Sequence, residues 1–275
     1  MTLFVAAILF ILGAAVGSFL SVVVYRSHKH MKGVLLGRSI CPHCKKKLKR
    51  RQLIPIISFL MLRGKCGYCG KSMGIHYLLL ELITGLAFVV VFLTWNFLQV
   101  IPSTVDPTVF AYSMDWTMFE VFIFWLIEFT LLIGILFADL MYKEIPDRFS
   151  LPAIGVGIAG GLIFGTPAPL SMLIGAVGIF LFFLIQFLIS KGTWIGGGDL
   201  RMGVLLGVLL GWEKGLFALV IAYVIGAIFG VALLLTKKVK RNTAIAFAPF
   251  LIIGMIIMIF YGDVILDWYL NSFLG

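Results

Sequence analysis

The sequence predicts an all-α polytopic membrane protein with about eight transmembrane helices and a cysteine-rich loop between the first two. The chain has 275 residues, of which 61% are hydrophobic and only 12% are charged, and its mean hydropathy is +1.12. Soluble domains carry roughly 25% charged residues, so this composition excludes an ordinary soluble fold. Long apolar runs recur along the chain, and all four cysteines fall in the long basic segment after the first run.

Eight apolar runs approach the length of about 20 residues with which an α-helix crosses a bilayer. They cover 2–25, 77–99, 118–138, 149–166, 171–190, 201–212, 215–235 and 244–262. The run at 201–212 is short, so the bounds of its helix are the hardest to place. The first run has no basic residues before it and is longer than the core of a signal peptide. We therefore interpret it as a retained span rather than a cleaved signal.

The basic residues predict the orientation in the membrane. Residues 26–75 hold thirteen Lys/Arg and no Asp/Glu. If this segment is cytosolic, the later loops alternate, and 21 of the 22 basic residues lie on the cytosolic side. Lys and Arg are enriched in short cytoplasmic loops, so we predict that both termini are outside and that loops 139–148, 191–201 and 236–242 are inside. This pattern, with attraction to anionic lipid, explains the basic loop without a nucleic-acid partner.

The four cysteines form two C-x2-C pairs, Cys41 with Cys44 and Cys66 with Cys69, separated by 21 residues. Each pair can place two thiolates on one side of a tetrahedral ion, and two pairs complete a four-thiolate shell. Nearby Lys and Arg favour the thiolate form, and stable disulfides are rare in the cytosol. We therefore predict a cytosolic zinc-binding loop domain between helices 1 and 2, with His43 exposed. Four free thiols or a redox pair are the alternatives.

Two aspartates lie at the edges of apolar runs. Asp139 follows the run 118–138, and Asp199 ends the stretch Gly196-Gly197-Gly198-Asp199. A carboxylate beside the bilayer is costly to place and tends to mark a working site. Glycines lack side chains, so the stretch allows close approach of backbone or of an extended substrate. Both aspartates fall at the predicted cytosolic face, and we predict that they form a catalytic dyad.

A pair of close carboxylates has a specific chemistry. The two resist double ionisation, so they share a proton near neutral pH. The ionised one takes a proton from water while the neutral one polarises a carbonyl, which is the chemistry of peptide-bond cleavage. One alternative is that each is a solvated helix-end carboxylate, as Asp147 could be before the fourth run. Another is a proton-coupled transporter in which Glu128, near the middle of the third run, joins Asp139 and Asp199 in an ion path.

Several further motifs accompany these residues in a fixed order along nearly the whole chain. They are Gly17-Ser18-Phe19-Leu20-Ser21 running on to Arg26, Leu62-Arg63-Gly64-Lys65 before the second Cys pair, His76-Tyr77-Leu78-Leu79-Leu80-Glu81, Ile145-Pro146-Asp147 after Asp139, the Gly196–Asp199 turn, and Ala248-Pro249-Phe250. In this order the set resembles the type IV prepilin peptidases, membrane aspartic proteases of the GxGD type that are also leader peptidases with N-methyltransferase activity.

That resemblance implies cleavage of the short basic leader of prepilins and pseudopilins, at the cytosolic face of a bacterial inner membrane. It also implies methylation of the new N-terminal residue, usually Phe, with S-adenosylmethionine as the donor. By resemblance, Asp139 and Asp199 are the catalytic aspartates and the four cysteines are the zinc ligands. Glu81 becomes a candidate for the otherwise unassigned cofactor site, or for contact with the basic loop or with the new amino terminus of the substrate.

One position departs from the family's usual pattern, which has Asn where this chain has Ser21. If that position serves the methyl donor, a prepilin or preflagellin-type peptidase without methylation is the alternative. The expected partners are the substrates and the lipid bilayer. The resulting division of the chain is a first transmembrane helix (1–25), a basic zinc loop associated with methyl transfer (26–76) and a seven-helix peptidase domain (77–275).

Overall fold

The computed structural model describes residues 2–31, 39–41, 43–95, 98–102, 110–236 and 246–273. The α-helices in these ranges are α1 (Thr2–His28), α2 (Ile57–Met61), α3 (His76–Thr94), α4 (Trp116–Tyr142), α5 (Asp147–Phe164), α6 (Pro169–Ser190), α7 (Gly197–Leu235) and α8 (Ala248–Phe273). A 3-10 turn, Arg50–Leu53, precedes α2. Within these ranges, seven helices are long and apolar enough to cross a membrane, all except α2. The predicted all-α membrane architecture is confirmed.

Several bounds differ from the predicted ones. Helix α4 continues to Tyr142, so Asp139 lies inside its last turns rather than just beyond them. Helix α8 runs to Phe273, well past the predicted limit at 262, although this extension carries two aspartates. Between α3 and α4 lies an antiparallel hairpin of β1 (Leu98–Pro102) and β2 (Phe110–Met114), which the sequence reading had not predicted. The basic residues of the loop 236–242, Lys237, Lys238, Lys240 and Arg241, lie outside the described residues.

Helix α7 covers two of the predicted spans, 201–212 and 215–235, and is broken between them, so the seven candidate helices of the described residues account for the eight predicted spans. Its break lies at Gly211, whose φ of 73° and ψ of −171° are not helical. Such angles are readily adopted only by glycine. A Cβ on Gly215 would lie 3.2 Å from Leu206 Cδ2, whereas nine residues of straight helix rise by about 13 Å. The chain therefore turns back at Gly211, and the short predicted span 201–212 corresponds to the first of two arms.

The chain divides into two compact units, Met1–Phe137 and Ala138–Gly275. In the first unit, α1 packs against α3 through Gly13 and Gly17, which have the G-x3-G spacing of close helix pairs. A Cβ on Gly17 would lie 2.8 Å from Leu80 O and 2.9 Å from Glu81 Cα. The two backbones are thus in direct contact, and this places the neighbouring side chains of α1 beside Glu81.

The second unit is a bundle built around α7. A Cβ on Gly175 of α6 would lie 2.7 Å from the backbone of Gly211. In the first arm of α7, a Cβ on Gly203 would lie 2.6 Å from Phe183 of α6. Helix α8 meets the second arm where Gly254 faces Ala218 O. These close approaches hold the two ends of α7 in fixed positions, one of which carries Asp199.

Candidate aspartate site and metal centre

Asp139 is held in the second unit by the start of another helix. It is buried, with 5% of its surface exposed, near the end of α4. Lys143 N donates to Asp139 O at 2.8 Å, and the left-handed backbone of Lys143 (φ 55°) marks the end of the helix. Ala248 N donates to Asp139 Oδ2 at 3.1 Å. Because Ala248 is the first residue of α8, the carboxylate faces the positive end of that helix dipole.

Asp199 lies in the first turn of α7. Gly196 N donates to Asp199 Oδ2 at 3.0 Å, and Asp199 N donates to Gly196 O at 3.1 Å. The aspartate therefore caps its own helix through backbone groups that would otherwise lack a partner. The carboxylates of Asp139 and Asp199 lie close enough to interact electrostatically. The structure thus brings together the two aspartates that the sequence predicted as a pair, each against the N-terminus of a helix.

The loop that follows Asp139 is clamped to the start of α7. Arg201 Nη2 donates to Ile145 O at 3.0 Å, and Arg201 also forms an ion pair with Asp147. A Cβ on Gly198 would lie 2.7 Å from Ile145 Cβ and 2.9 Å from its Cδ1. The loop can approach α7 this closely because residue 198 has no side chain. This contact joins the segments that carry the two aspartates. Gly198, the third glycine of the motif, is needed for the close packing of Ile145.

Gly197 differs from its neighbour although the sequence presents the two alike. Among the described residues, no heavy atom would lie within 4 Å of a Cβ at this position. The glycine therefore faces open space beside Asp199. No packing contact in the described part of the chain requires a glycine here, so the position is available to an extended substrate.

Two contributors to the site have no signature in the sequence. Ala248 acts through its backbone N–H, so its side chain gives no hint of the role. Tyr223, in the second arm of α7, lies close enough to Asp199 to interact with its charge, and its hydroxyl donates to Gln186 Oε1 at 3.0 Å. A single polar group inside an apolar helix was the available signal for Tyr223, but it did not indicate Asp199 as the neighbour.

The four cysteines meet in the first unit. The sulfur atoms of Cys41, Cys44, Cys66 and Cys69 all lie within 4.8 Å of one another, and the Cys41 and Cys69 sulfurs are 4.0 Å apart. A tetrahedral ion with Zn–S bonds of about 2.3 Å separates its sulfur ligands by roughly 3.8 Å. This spacing suits metal ligation and is far too long for a disulfide bond of about 2.05 Å. His43 is exposed, as predicted.

The two C-x2-C pairs adopt the same local structure. Cys41 N donates to Lys46 O at 3.0 Å, and Cys66 N donates to Lys71 O at 2.9 Å. Both cysteines thus begin a tight turn of the kind that presents two thiolates to one ion. The backbone N–H of Tyr68, followed by that of Cys69, lowers the pKa of the Cys66 thiol to about 7. The thiolate form that a metal requires is therefore accessible near neutral pH at Cys66, whereas, against the backbone N–H of Lys71, burial and the neighbouring thiols raise the pKa of Cys69 to about 11.

The remaining predicted residues make contacts other than with the aspartate pair. Glu81 belongs to the first unit, where its Oε2 accepts a hydrogen bond of 2.7 Å from Ile56 N. Glu128 is fully buried in α4, and neither of its oxygens has a hydrogen-bond partner among the described residues. Asp147 is exposed and paired with Arg201, so it contributes to the clamp rather than joining the aspartate pair.

Comparisons with known proteins agree with this arrangement. Residues 11–95 match the bacterial peptidase A24 N-terminal domain, and residues 126–231 match the type IV leader peptidase family. A Bacillus subtilis protein named prepilin leader peptidase/N-methyltransferase is 31% identical, with 98% of this chain and 99% of the relative covered. A Legionella pneumophila protein of the same name is 29% identical, with coverages of 94% and 91%. No solved structure matches the chain.

Proposed function

The chain belongs to the type IV leader peptidase family, and we propose that it cleaves the leader peptide of prepilins with Asp139 and Asp199. The observation that carries the proposal is the meeting of these two carboxylates at the ends of two apolar helices. Each is oriented by a backbone N–H, from Ala248 and Gly196. Family membership weighs against the transporter that the acidic residues alone would allow.

The two carboxylates share one proton in the resting state, because two adjacent negative charges are unfavourable. The ionised carboxylate takes a proton from a water molecule, whose oxygen attacks the carbonyl carbon of the scissile peptide bond. The protonated carboxyl hydrogen-bonds to the carbonyl oxygen and stabilises the charge that develops there. The carboxyl group that took the proton from water then passes it to the departing nitrogen, and the C–N bond breaks to give a carboxylic acid and an amine. The N–H donors of Ala248 and Gly196 fix the orientation of both groups and leave their net charge unchanged.

The open edge at Gly197 is where the extended leader approaches the dyad. The loop that contains Ile145, held by Gly198 and Arg201, lies on the other side of the space through which the leader approaches. We assign the dyad to the cytosolic face of a bacterial inner membrane, with both chain termini outside, because the described and remaining basic residues follow the positive-inside pattern.

The test is cleavage of a membrane-embedded prepilin by Asp139→Asn, Asp199→Asn and a control, Asp263→Asn. Asp263 is an exposed carboxylate elsewhere on α8 that pairs with Lys214. Both dyad variants should lose roughly 10³-fold or more of the cleavage rate, as expected for removal of a catalytic group, while the control cleaves normally. If either dyad variant cleaves at a rate close to wild type, that residue is not part of the chemistry and the mechanism is wrong.

The second activity in the proposal is N-methylation of the residue exposed by cleavage, as in the relatives' name. S-Adenosylmethionine supplies an electrophilic methyl group when it is bound. Zinc is proposed as a structural ion, since the sulfur spacing of the four cysteines fits its tetrahedral shell. Incubation of the protein with prepilin and S-adenosylmethionine should yield methylated pilin. Cleavage without methylation would show that the chain is a peptidase alone, which is the alternative that Ser21 leaves open.

A further inference from the structure

A cavity in the first unit lies apart in the chain from the aspartate pair. It lies between α1, the start of α3 and the cysteine loop. Its walls include Ser18, Ser21, Arg26, Cys66, Tyr77 and Glu81. Pockets that bind small molecules combine apolar walls with a few placed polar groups, as this one does. Peptide cleavage gives this cavity no role.

The wall formed by α1 and α3 is rigid. The backbones touch where Gly17 meets Leu80 O, so the two helices cannot move closer or slide without a clash. Ser18 and Ser21 project from α1 next to this contact. The Ser18 hydroxyl donates to the Glu81 carboxylate, and the Ser21 hydroxyl donates to Ser18 O at 2.7 Å. These bonds give the polar part of the wall one defined arrangement.

A strained turn holds Glu81 from the opposite side. Ile56 has φ of 62° and ψ of −56°, and Ile57 N donates to Pro55 O at 2.5 Å across it. This is the rarer, strained form of the γ-turn, and a β-branched residue adopts it only under constraint. The turn directs Ile56 N to Glu81 Oε2 at 2.7 Å. Strain of this kind is concentrated at functional sites, where it orients a group in advance.

The charges in the cavity are complementary to one class of ligand. Glu81 is the acidic residue among the described residues that line it, and Arg26 and Lys65 are cationic. The aromatic rings of Tyr25, Phe59 and Tyr77 also line it. A molecule with a cationic centre, a carboxylate and an aromatic base would find a partner for each part. S-Adenosylmethionine has a sulfonium ion, an amino-acid group and an adenine.

The metal centre forms part of the same wall. Cys66 lines the cavity, and Gln52 packs against Gly67 between the cysteines of the second pair. A metal ion on the four thiolates would therefore fix this side of the cavity. This gives the zinc loop a specific task, namely to hold the shape of a binding site in the first unit.

We infer that this cavity is the binding site of the methyl donor, with Glu81 as a ligand-binding residue for the cationic part of S-adenosylmethionine. The inference rests on the proposed methyltransferase activity and assigns its donor site. It also gives the departure at Ser21 a physical meaning, because the residue lies on the wall of this cavity.

The experiment measures donor binding directly, by isothermal titration calorimetry of S-adenosylmethionine into the full chain in nanodiscs. Glu81→Gln retains an oxygen for Ile56 N but removes the negative charge, and Ser21→Phe fills the cavity from α1. Each should weaken binding by about ten-fold to a hundred-fold, the range for losing a charged hydrogen bond. Glu120→Gln, an exposed glutamate of the same unit, is the matched control.

Prepilin cleavage and zinc content are measured on the same samples. Weak donor binding in both variants, with cleavage, zinc content and the control unchanged, supports the inference. Wild-type binding in both variants overturns it, as does a wild-type chain that cleaves prepilin but binds no donor. If Glu81→Gln loses zinc and cleavage as well as donor binding, Glu81 has a structural role instead. A wild-type chain that neither cleaves nor binds would refute the proposed function itself.

Discussion

Replacement of Gly198 by alanine tests whether the contact between the Asp139 loop and α7 sets the geometry of the dyad. The added Cβ would lie 2.7 Å from Ile145 Cβ and 2.9 Å from its Cδ1. Non-bonded carbon atoms prefer about 3.5–4.0 Å, so the loop must move by roughly 1 Å. Ile145 Cβ is attached directly to the backbone, so a side-chain rotation cannot relieve the clash. A displacement of about 1 Å at a catalytic group can lower the rate by around 10²-fold.

Gly197→Ala is the matched control for folding and stability, because the same methyl group there enters open space. Alanine is favoured over glycine in a helix by up to about 1 kcal/mol, so this variant should be at least as stable as the wild type. The assay compares kcat/KM for a membrane-embedded prepilin with the thermal midpoint of each variant. We expect Gly198→Ala to lose about 10²-fold in cleavage. Cleavage within a few-fold of wild type in Gly198→Ala would show that the loop contact does not position the dyad. If Gly197→Ala is stable but cleaves poorly, that residue contacts the substrate.

Two further predictions concern the clamp and the metal. Arg201→Ala removes the donor to Ile145 O and the partner of Asp147, so we expect a stability loss of about 1 kcal/mol and slower cleavage. Arg201→Lys should rescue this only in part, since a single ammonium cannot reproduce the guanidinium fork. Full cleavage by Arg201→Ala in the prepilin assay would rule out the clamp. Cys66→Ser should lower the zinc content measured by mass spectrometry and weaken donor binding, because Cys66 lines the cavity. The exposed His43→Ala should keep its zinc, and a fall in zinc there would place His43 among the ligands.

The sequence was informative where a single local constraint determines structure. Helices follow from apolar length because a bilayer leaves the backbone no other partners for its N–H and C=O groups. The cysteine pairs are local in the same sense, since each C-x2-C forms its own turn and only the meeting of the two turns depends on the fold. Asp139 and Asp199 could be selected because a carboxylate at a membrane edge needs a reason to be there.

Features that depend on distant backbone atoms could not be predicted in this way. Ala248 lies 109 residues from the aspartate that it orients, and Ile56 lies 25 residues from Glu81. A backbone donor is present in every residue except proline, so no residue type reveals its use. The reversal between the spans 201–212 and 215–235 was predicted as a loop. Its form was not, because the residue type alone does not show that the break lies at Gly211 with a positive φ.

The acidic residues that we propose as functional differ in their partners from Asp147. Asp139, Asp199 and Glu81 each accept a backbone N–H, from Ala248, Gly196 and Ile56. A neutral donor orients a carboxylate without cancelling its charge, so the group can still exchange a proton or bind a cation. Asp147 is instead paired with the guanidinium of Arg201, which favours its ionised form and fixes it as part of the clamp.

This distinction separates Asp139 from Asp147, two aspartates only eight positions apart in the sequence. Lys143 lies near enough to Asp139 to interact with its charge, but the direct hydrogen bond to that carboxylate comes from the backbone of α8. A dyad that must pass a proton between its members requires at least one carboxyl that can become neutral. Backbone donors at the helix N-termini also favour the ionised form, but a neutral donor opposes protonation less than a tight ion pair such as that of Asp147 does. This difference in partners supports the proposal that Asp139 and Asp199, rather than Asp147, form the dyad.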